Sequence, residues 1–161
     1  MIKKFNLLFI TFFLIGKIKY APGTAASLIT CFLFLLLVSI FNFTIIFLIT
    51  LIIFFYSFFA INNSFNEFNS EDPQEIVIDE VAGQMLTLLA IPIYETLYPL
   101  PIIYYCMSAF ILFRLFDILK PYPINYIDNN IKGSLGIMLD DIFAGFYVII
   151  ILSIILFFLG G

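Results

Sequence analysis

Apolar residues run along this chain in long blocks, without the alternation of a half-buried strand or the narrow stripe of a soluble amphipathic helix. Residues 25–61 are nearly continuous hydrophobe, interrupted only by isolated Ser, Thr and Asn. A helix needs about 20 apolar residues to cross the hydrocarbon core of a bilayer. The block is too long for one crossing and about right for two, with Asn42 at the turn between them. Three further blocks follow at 76–93, 100–119 and 137–159. The first opens on acidic residues and has Pro92 near its end. Pro99 and Pro101 open the second, where a missing backbone donor costs least. The pattern predicts an all-α, polytopic membrane helical bundle of about five membrane-embedded helices.

The run from Phe5 to Ile15 is only about half a crossing long. Lys3 and Lys4 precede it, as in a signal peptide, but Lys17 and Lys19 follow at once and no small-x-small cleavage site appears. A short interfacial or re-entrant helix suits that length. Residues 1–20 are thus expected to be an interfacial N-terminal segment of a single membrane-embedded domain, 1–161.

Following the chain through five crossings sorts its charges. If 17–24 lies on one face, then 62–75 and 120–136 return to it. Lys3, Lys4, Lys17, Lys19, Arg114, Lys120 and Lys132 all fall on or near that face, and the opposite face has Glu95. The positive-inside tendency makes the charged face cytoplasmic.

Composition agrees with a membrane protein: 63% of 161 residues are hydrophobic, 11% are charged, and mean hydropathy is +1.15, against about a quarter charged in soluble domains. No basic run points to nucleic acid. Cys31 and Cys106 both lie in apolar runs, as small buried hydrophobes do. There is no histidine, which removes every mechanism needing an imidazole base, nucleophile or ligand.

Three polar clusters stand at crossing ends on the charged face. In RLFDILK, Arg114, Asp117 and Lys120 step by three, each turned roughly 60° from the last on a helix. They form a stripe with a carboxylate between two cations, which alone could be an ion-pair ladder securing a helix end. IVIDEVAGQ carries Asp79 and Glu80, and GIMLDDIFAG carries Asp140 and Asp141. Either acidic pair alone could be a helix start complementing the dipole. Neighbouring residues point about 100° apart, so each pair cannot act simply as one chelate. Facing helices could each give one carboxylate to a shared ion and leave the second for another ion, a base or a partner. Converging carboxylates need compensation, from Arg114, Lys120 or a divalent cation. Oxygen-only ligands favour magnesium or manganese over zinc. Ala82, Gly83, Ala144 and Gly145 lie about one turn below the acids and would let the two helices approach closely. In APGT, Thr24, like Ser27, could cap the first crossing or touch an anion. Pro121 and Pro123 end the helix that carries Lys120, and Gly133 and Gly136 loosen the entry to the last.

Taken together, IVIDEVAGQ, FRLFDILKPYPINYIDNN and GIMLDDIFAG, with APGT ahead of the first span, resemble the phosphatidylglycerophosphatase A family, in order and spacing, from about residue 16 to 147. The resemblance implies a magnesium-dependent lipid phosphatase of the bacterial inner membrane, converting phosphatidylglycerophosphate to phosphatidylglycerol, with its site facing the cytoplasm. It carries the family's motif positions onto Asp79, Glu80, Arg114, Asp117, Lys120, Asp128, Asp140 and Asp141, with Thr24 in the N-terminal motif. One departure is Ala26, where the family commonly has glycine. The roles expected are catalysis by Asp79, Asp117 and Asp141, phosphate binding by Arg114, Lys120 and Thr24, and Mg²⁺ held among Asp79, Glu80, Asp117, Asp140 and Asp141. Asp128 is attached to the site without a role.

Among rivals, a head-group transferase would need two aspartates and a glycine followed by Ala-Arg and two later aspartates, a signature that is missing. A small ion- or proton-coupled transporter using intramembrane carboxylates is the reading from another class. It would place its acids near mid-bilayer, whereas these cluster towards one end.

Overall fold

The structure, a computed structural model, describes residues 2–64, 68 and 73–160. Its regular elements are all helices: α1 (Ile2–Ile10), a 3₁₀ turn (Ile15–Lys17), α2 (Pro22–Ile40), α3 (Phe43–Ser64), α4 (Ile78–Leu88), α5 (Ile91–Leu97), α6 (Ile102–Leu119), α7 (Ile124–Asn130) and α8 (Gly133–Gly160). The expected all-α membrane bundle is what forms. Four helices, α2, α3, α6 and α8, are long and apolar enough to cross a membrane. The 62–75 connection expected on the charged face lies partly outside the described residues.

The turn between α2 and α3 falls at Asn42, whose Oδ1 accepts the Ile45 N–H at 3.1 Å. This caps α3 where four backbone donors would otherwise be orphaned. Inside the spans, hydroxyls bond back to their own helices: Thr30 to the Ala26 carbonyl, Thr50 to Ile46 and Ser57 to Ile53. Such bonds satisfy polar groups that have no water to turn to. Large side chains such as Ile52, Phe55 and Ile111 point outward, which a lipid solvent permits and water would penalise. Ala26, the departure noted above, is fully buried within α2.

The third expected crossing, 76–93, is not one continuous helix. α4 has 11 residues, about 16 Å at 1.5 Å per residue, roughly half the hydrocarbon core. Pro92 stands in the first turn of α5; it has no N–H to give residue 88, and its ring crowds that carbonyl. The helix therefore breaks across Leu89 and Ala90 and restarts. α5 nevertheless continues beside α8, since the Tyr94 hydroxyl donates to the Ile149 carbonyl at 2.9 Å and lies 3.1 Å from Ser153 Oγ. Ile149 lies about 12 Å along α8 from Asp141, so α4 and α5 together accompany α8 away from the acids.

α4 is the hub, packed against α2, α3, α6 and α8. Its contact with α8 depends on small residues. A Cβ on Gly83 would lie 2.7 Å from the Asp141 carbonyl oxygen, and one on Gly145 would lie 3.0 Å from that of Gly83. The backbones touch, as the small residues one turn below the acids led us to expect.

At the N-terminus the helix expected over 5–15 stops at Ile10. Phe12, Phe13 and Leu14 have φ of 43°, 55° and 73°, left-handed values that fold the chain back. α1 lies on α3, where the Tyr56 hydroxyl donates to Asn6 Oδ1 at 2.8 Å and the Phe9 ring meets Tyr56 edge-on. The Ile10 carbonyl accepts the Val77 N–H at 3.0 Å, joining the segment to the entry of α4.

Candidate active site

The acid-bearing ends of α4 and α8 meet the start of α2 and the end of α6 around a cavity of about 380 Å³. Every residue assigned above to catalysis, phosphate or metal lines it: Thr24, Asp79, Glu80, Arg114, Asp117, Lys120, Asp140 and Asp141. The sequence placed these residues up to 117 positions apart (24 to 141). Asp128 lies off it, lining a neighbouring cavity of about 50 Å³ together with Asp79 and Asp140.

Asp79, Glu80 and Asp141 each bring one carboxylate oxygen to within 4.8 Å of the others. The two acidic pairs behave differently. Asp79 and Glu80 join the same group even though neighbours diverge on a helix, because the longer Glu80 chain reaches over the start of α2. Gly23 makes room for it: a Cβ there would lie 1.9 Å from Glu80 Oε1. Asp140 and Asp141 separate as expected. Asp141 is buried against α4, while Asp140 turns to Lys120 and accepts the Asp141 N–H on Oδ1 at 3.0 Å.

This group suits a metal ion. Asp79 Oδ1 and Glu80 Oε2 are buried without a hydrogen-bond partner, a costly state for carboxylates unless a cation satisfies them. The donors are all carboxylate oxygens, the ligands of hard cations.

Two cations line the same cavity, and Arg114 stands close to the acids: Glu80 Oε1 and Arg114 Nη1 lie 1.9 and 3.4 Å from where a Gly23 Cβ would stand. Arg114 Nη1 lies 2.8 Å from Asp117 Oδ2 across one turn of α6. The contact is poorly aligned for a hydrogen bond, and both Nη1 and Nε of Arg114 are buried without an acceptor. The guanidinium is thus held in place with donors to spare. Lys120 does not continue the ladder. It ends α6 in the left-handed region, φ 41°, just before Pro121, and this turns its side chain away from Asp117. Its Nζ instead bonds Asp128 of α7 at 2.6 Å and Asp140 of α8 at 2.9 Å. Burial alone would lower the lysine pKa; the Asp128 and Asp140 carboxylates outweigh it and raise it above the ordinary value.

Thr24 is not a helix cap. α2 begins at Pro22 with Ala21 in the flanking position and no side-chain cap, and Ser27 Oγ bonds back to the Gly23 carbonyl. The first turn leaves the Gly23 and Thr24 N–H groups without intrahelical acceptors, on the cavity wall. Sequence reasoning missed Gly23 itself, although a Pro-Gly pair at a helix start marks a place where backbone must come close. It also missed Pro73 and Gln74, which line the cavity from a stretch without periodic pattern.

Comparison with known proteins gives the family. The family model for phosphatidylglycerophosphatase A matches residues 8–156. A Bacteroides thetaiotaomicron protein bearing the provisional name phosphatidylinositol-3-phosphatase is 32% identical over 148 residues, 90% of this chain and 89% of that one. Phosphatidylglycerophosphatase A of Haemophilus influenzae is 35% identical over 84% of this chain and 79% of its own. The Escherichia coli protein of that name is 38% identical over 55% and 45%. No solved structure matches the chain. With a matching family model over nearly its whole length, this chain belongs to the phosphatidylglycerophosphatase A family.

Proposed function

We propose that the protein is a magnesium-dependent lipid phosphatase that hydrolyses phosphatidylglycerophosphate to phosphatidylglycerol and inorganic phosphate, supplying phospholipid synthesis at the cytoplasmic side of a bacterial inner membrane. One observation carries the reading: a single cavity at one end of the bundle gathers three close carboxylates with an arginine and a lysine. That end-of-bundle position is the depth of a lipid headgroup and argues against a transport site at mid-bilayer.

Asp79, Glu80 and Asp141 would hold the ion, and magnesium suits a donor set of oxygens alone. When bound it supplies charge neutralisation to the phosphoryl oxygens. Arg114 has Nε and Nη1 unsatisfied and offers these donors and its charge to the phosphoryl oxygens, and Asp117 keeps it there. Lys120 adds a second positive charge, fixed by Asp128 and Asp140. Thr24 and the free N–H groups of the α2 start face the same anion. Water attacks phosphorus and passes a proton to a cavity carboxylate, Asp79 or Asp141; the phosphorus–oxygen bond to glycerol breaks and that oxygen takes up a proton.

Purified protein in detergent should release phosphate from phosphatidylglycerophosphate only when magnesium is supplied. Asp79→Asn and Asp141→Asn should each lower turnover by about 100-fold or more while the fold is retained. The panel should include phosphatidylinositol 3-phosphate, in view of the Bacteroides relative's name. Full activity in excess chelator removes the metal from the proposal, and unchanged turnover in both variants removes the site.

A further inference from the structure

A second cavity, of about 440 Å³, lies beside the first and plays no part in the chemistry above. α1 presents Lys4, Leu7 and Leu8 to it, at the i, i+3, i+4 spacing of one helical face, and Thr11 just past its end joins them. The left-handed bend at Phe12–Leu14 returns the chain so that Leu14 and Lys17 close the other side, and Phe68 and Glu75 complete the wall. Neither Lys4 nor Lys17 makes an ion pair among the described residues. The partition between the two cavities is short: Pro73, Gln74 and Ile76 line the catalytic one and Glu75 the other.

The charge here is opposite to that of the rest of the chain. Residues 2–20 hold four of the seven cations and no acid, leaving three cations against eleven acids elsewhere. Two lysines and one glutamate give the cavity wall a formal charge of +1. Three leucines beside that charge suit an amphiphile better than a free ion. We propose that the N-terminal segment forms a second, non-catalytic binding site for a singly charged anionic phospholipid, the phosphodiester between Lys4 and Lys17 and the acyl chains along Leu7, Leu8 and Leu14. The volume is in the range of small-molecule pockets. A lipid held there sits next to the segment that walls the active site.

The general tendency of lysines to collect on the cytoplasmic side would also place cations here, so the test must separate a built site from diffuse charge. Full-length protein in detergent is titrated with phosphatidylserine, a diester the phosphatase cannot use, or with phosphatidylcholine, and bound lipid is counted by native mass spectrometry. Phosphatidylserine should bind more tightly than phosphatidylcholine. Lys4→Gln with Lys17→Gln should weaken it about fivefold per lysine removed, Glu75→Gln should tighten it, and Lys3→Gln with Lys19→Gln should leave it unchanged. Equal losses in the two double variants, or equal binding of both lipids, would overturn the site. Displacement by glycerophosphoserine as effective as by the whole lipid would overturn the lipid assignment.

Discussion

At the residue scale, the site is a set of charges whose positions depend on neighbours that do no chemistry. Gly23 is the sharpest case, because the space its missing Cβ leaves is occupied by Glu80 Oε1. Gly23→Ala should push that carboxylate out of the group and weaken metal binding by about 10–100-fold, the usual effect of disturbing what orients a ligand. Activity should then be low at limiting magnesium and recover at high magnesium, which a titration of rate against metal would read. Lys120 is the second case. With Asp128 exchanged for Asn it keeps Asp140 but loses a charge-assisted bond, and activity should fall about tenfold. Its raised pKa fixes the sign of the pH effect. The stability it contributes is fully present below the unfolded lysine pKa of about 10.4 and disappears only as pH rises through the higher folded value. Denaturation of the wild type and of Asp128→Asn should differ at pH 7–9, and the gap should close only at strongly alkaline pH.

At the scale of elements, the crossing of α4 and α8 sets the separation of Asp79 and Glu80 from Asp141. Adding a Cβ at Gly83 meets the Asp141 carbonyl at 2.7 Å and two Phe113 ring carbons at 2.8 and 2.9 Å. The ring can turn but the carbonyl belongs to helix backbone, so the helices must part. Gly83→Ala should cost about 1–3 kcal/mol, as overpacking does, and lower activity more than the lost folded fraction explains. Thermal melting and turnover measured on the same preparation check this. The elements were largely legible in the sequence. Block lengths located α2, α3, α6 and α8, and Asn42 marked their first turn, because hydrophobic length is a backbone-level requirement of the bilayer. The α4–α5 break was not read, although Pro92 was visible, because an unbroken apolar run hides where a proline falls within it. The bend at Phe12–Leu14 was illegible for a different reason: three consecutive non-glycine residues in left-handed conformation have no local sequence signal. Hydrogen bonds from the Phe13 N–H to the Leu8 carbonyl, the Leu14 N–H to Thr11 Oγ1 and the Gly16 N–H to the Thr11 carbonyl close the bend, while Asn6 and Ile10 tie the preceding helix to α3 and Val77. Within the site, the carboxylates and cations could be named from spacing, but their pairing could not. The three-residue step from Asp117 to Lys120 implied a ladder, and the left-handed end of α6 redirected Lys120 to Asp128 and Asp140.

At the scale of the whole molecule, folding gathers five carboxylates, Asp79, Glu80, Asp117, Asp140 and Asp141, and two cations, Arg114 and Lys120, around one cavity, a formal net of −3. Such a site repels itself and would repel a phosphate monoester more strongly still. The bundle pays for the arrangement through its packing, and bound cation is what would return that free energy. Binding to the folded state alone stabilises by about 2.7 kcal/mol at 100 times the dissociation constant, which for a chain of this size corresponds to a rise in melting temperature on the order of 5–10 °C. Magnesium should therefore raise the melting temperature of the detergent-solubilised protein, and chelator should lower it, with no substrate present. Asp79→Asn and Asp141→Asn should lose this shift. Each removes a charge from a crowded cluster, so without metal each should melt at or above the wild-type temperature, while Arg114→Met, which deepens the imbalance, should melt below it. A metal-dependent shift that survives both aspartate substitutions would place the ion elsewhere in the molecule. Metal-free melting of the aspartate variants well below wild type would mean that these carboxylates hold the helices together by contacts other than a shared cation.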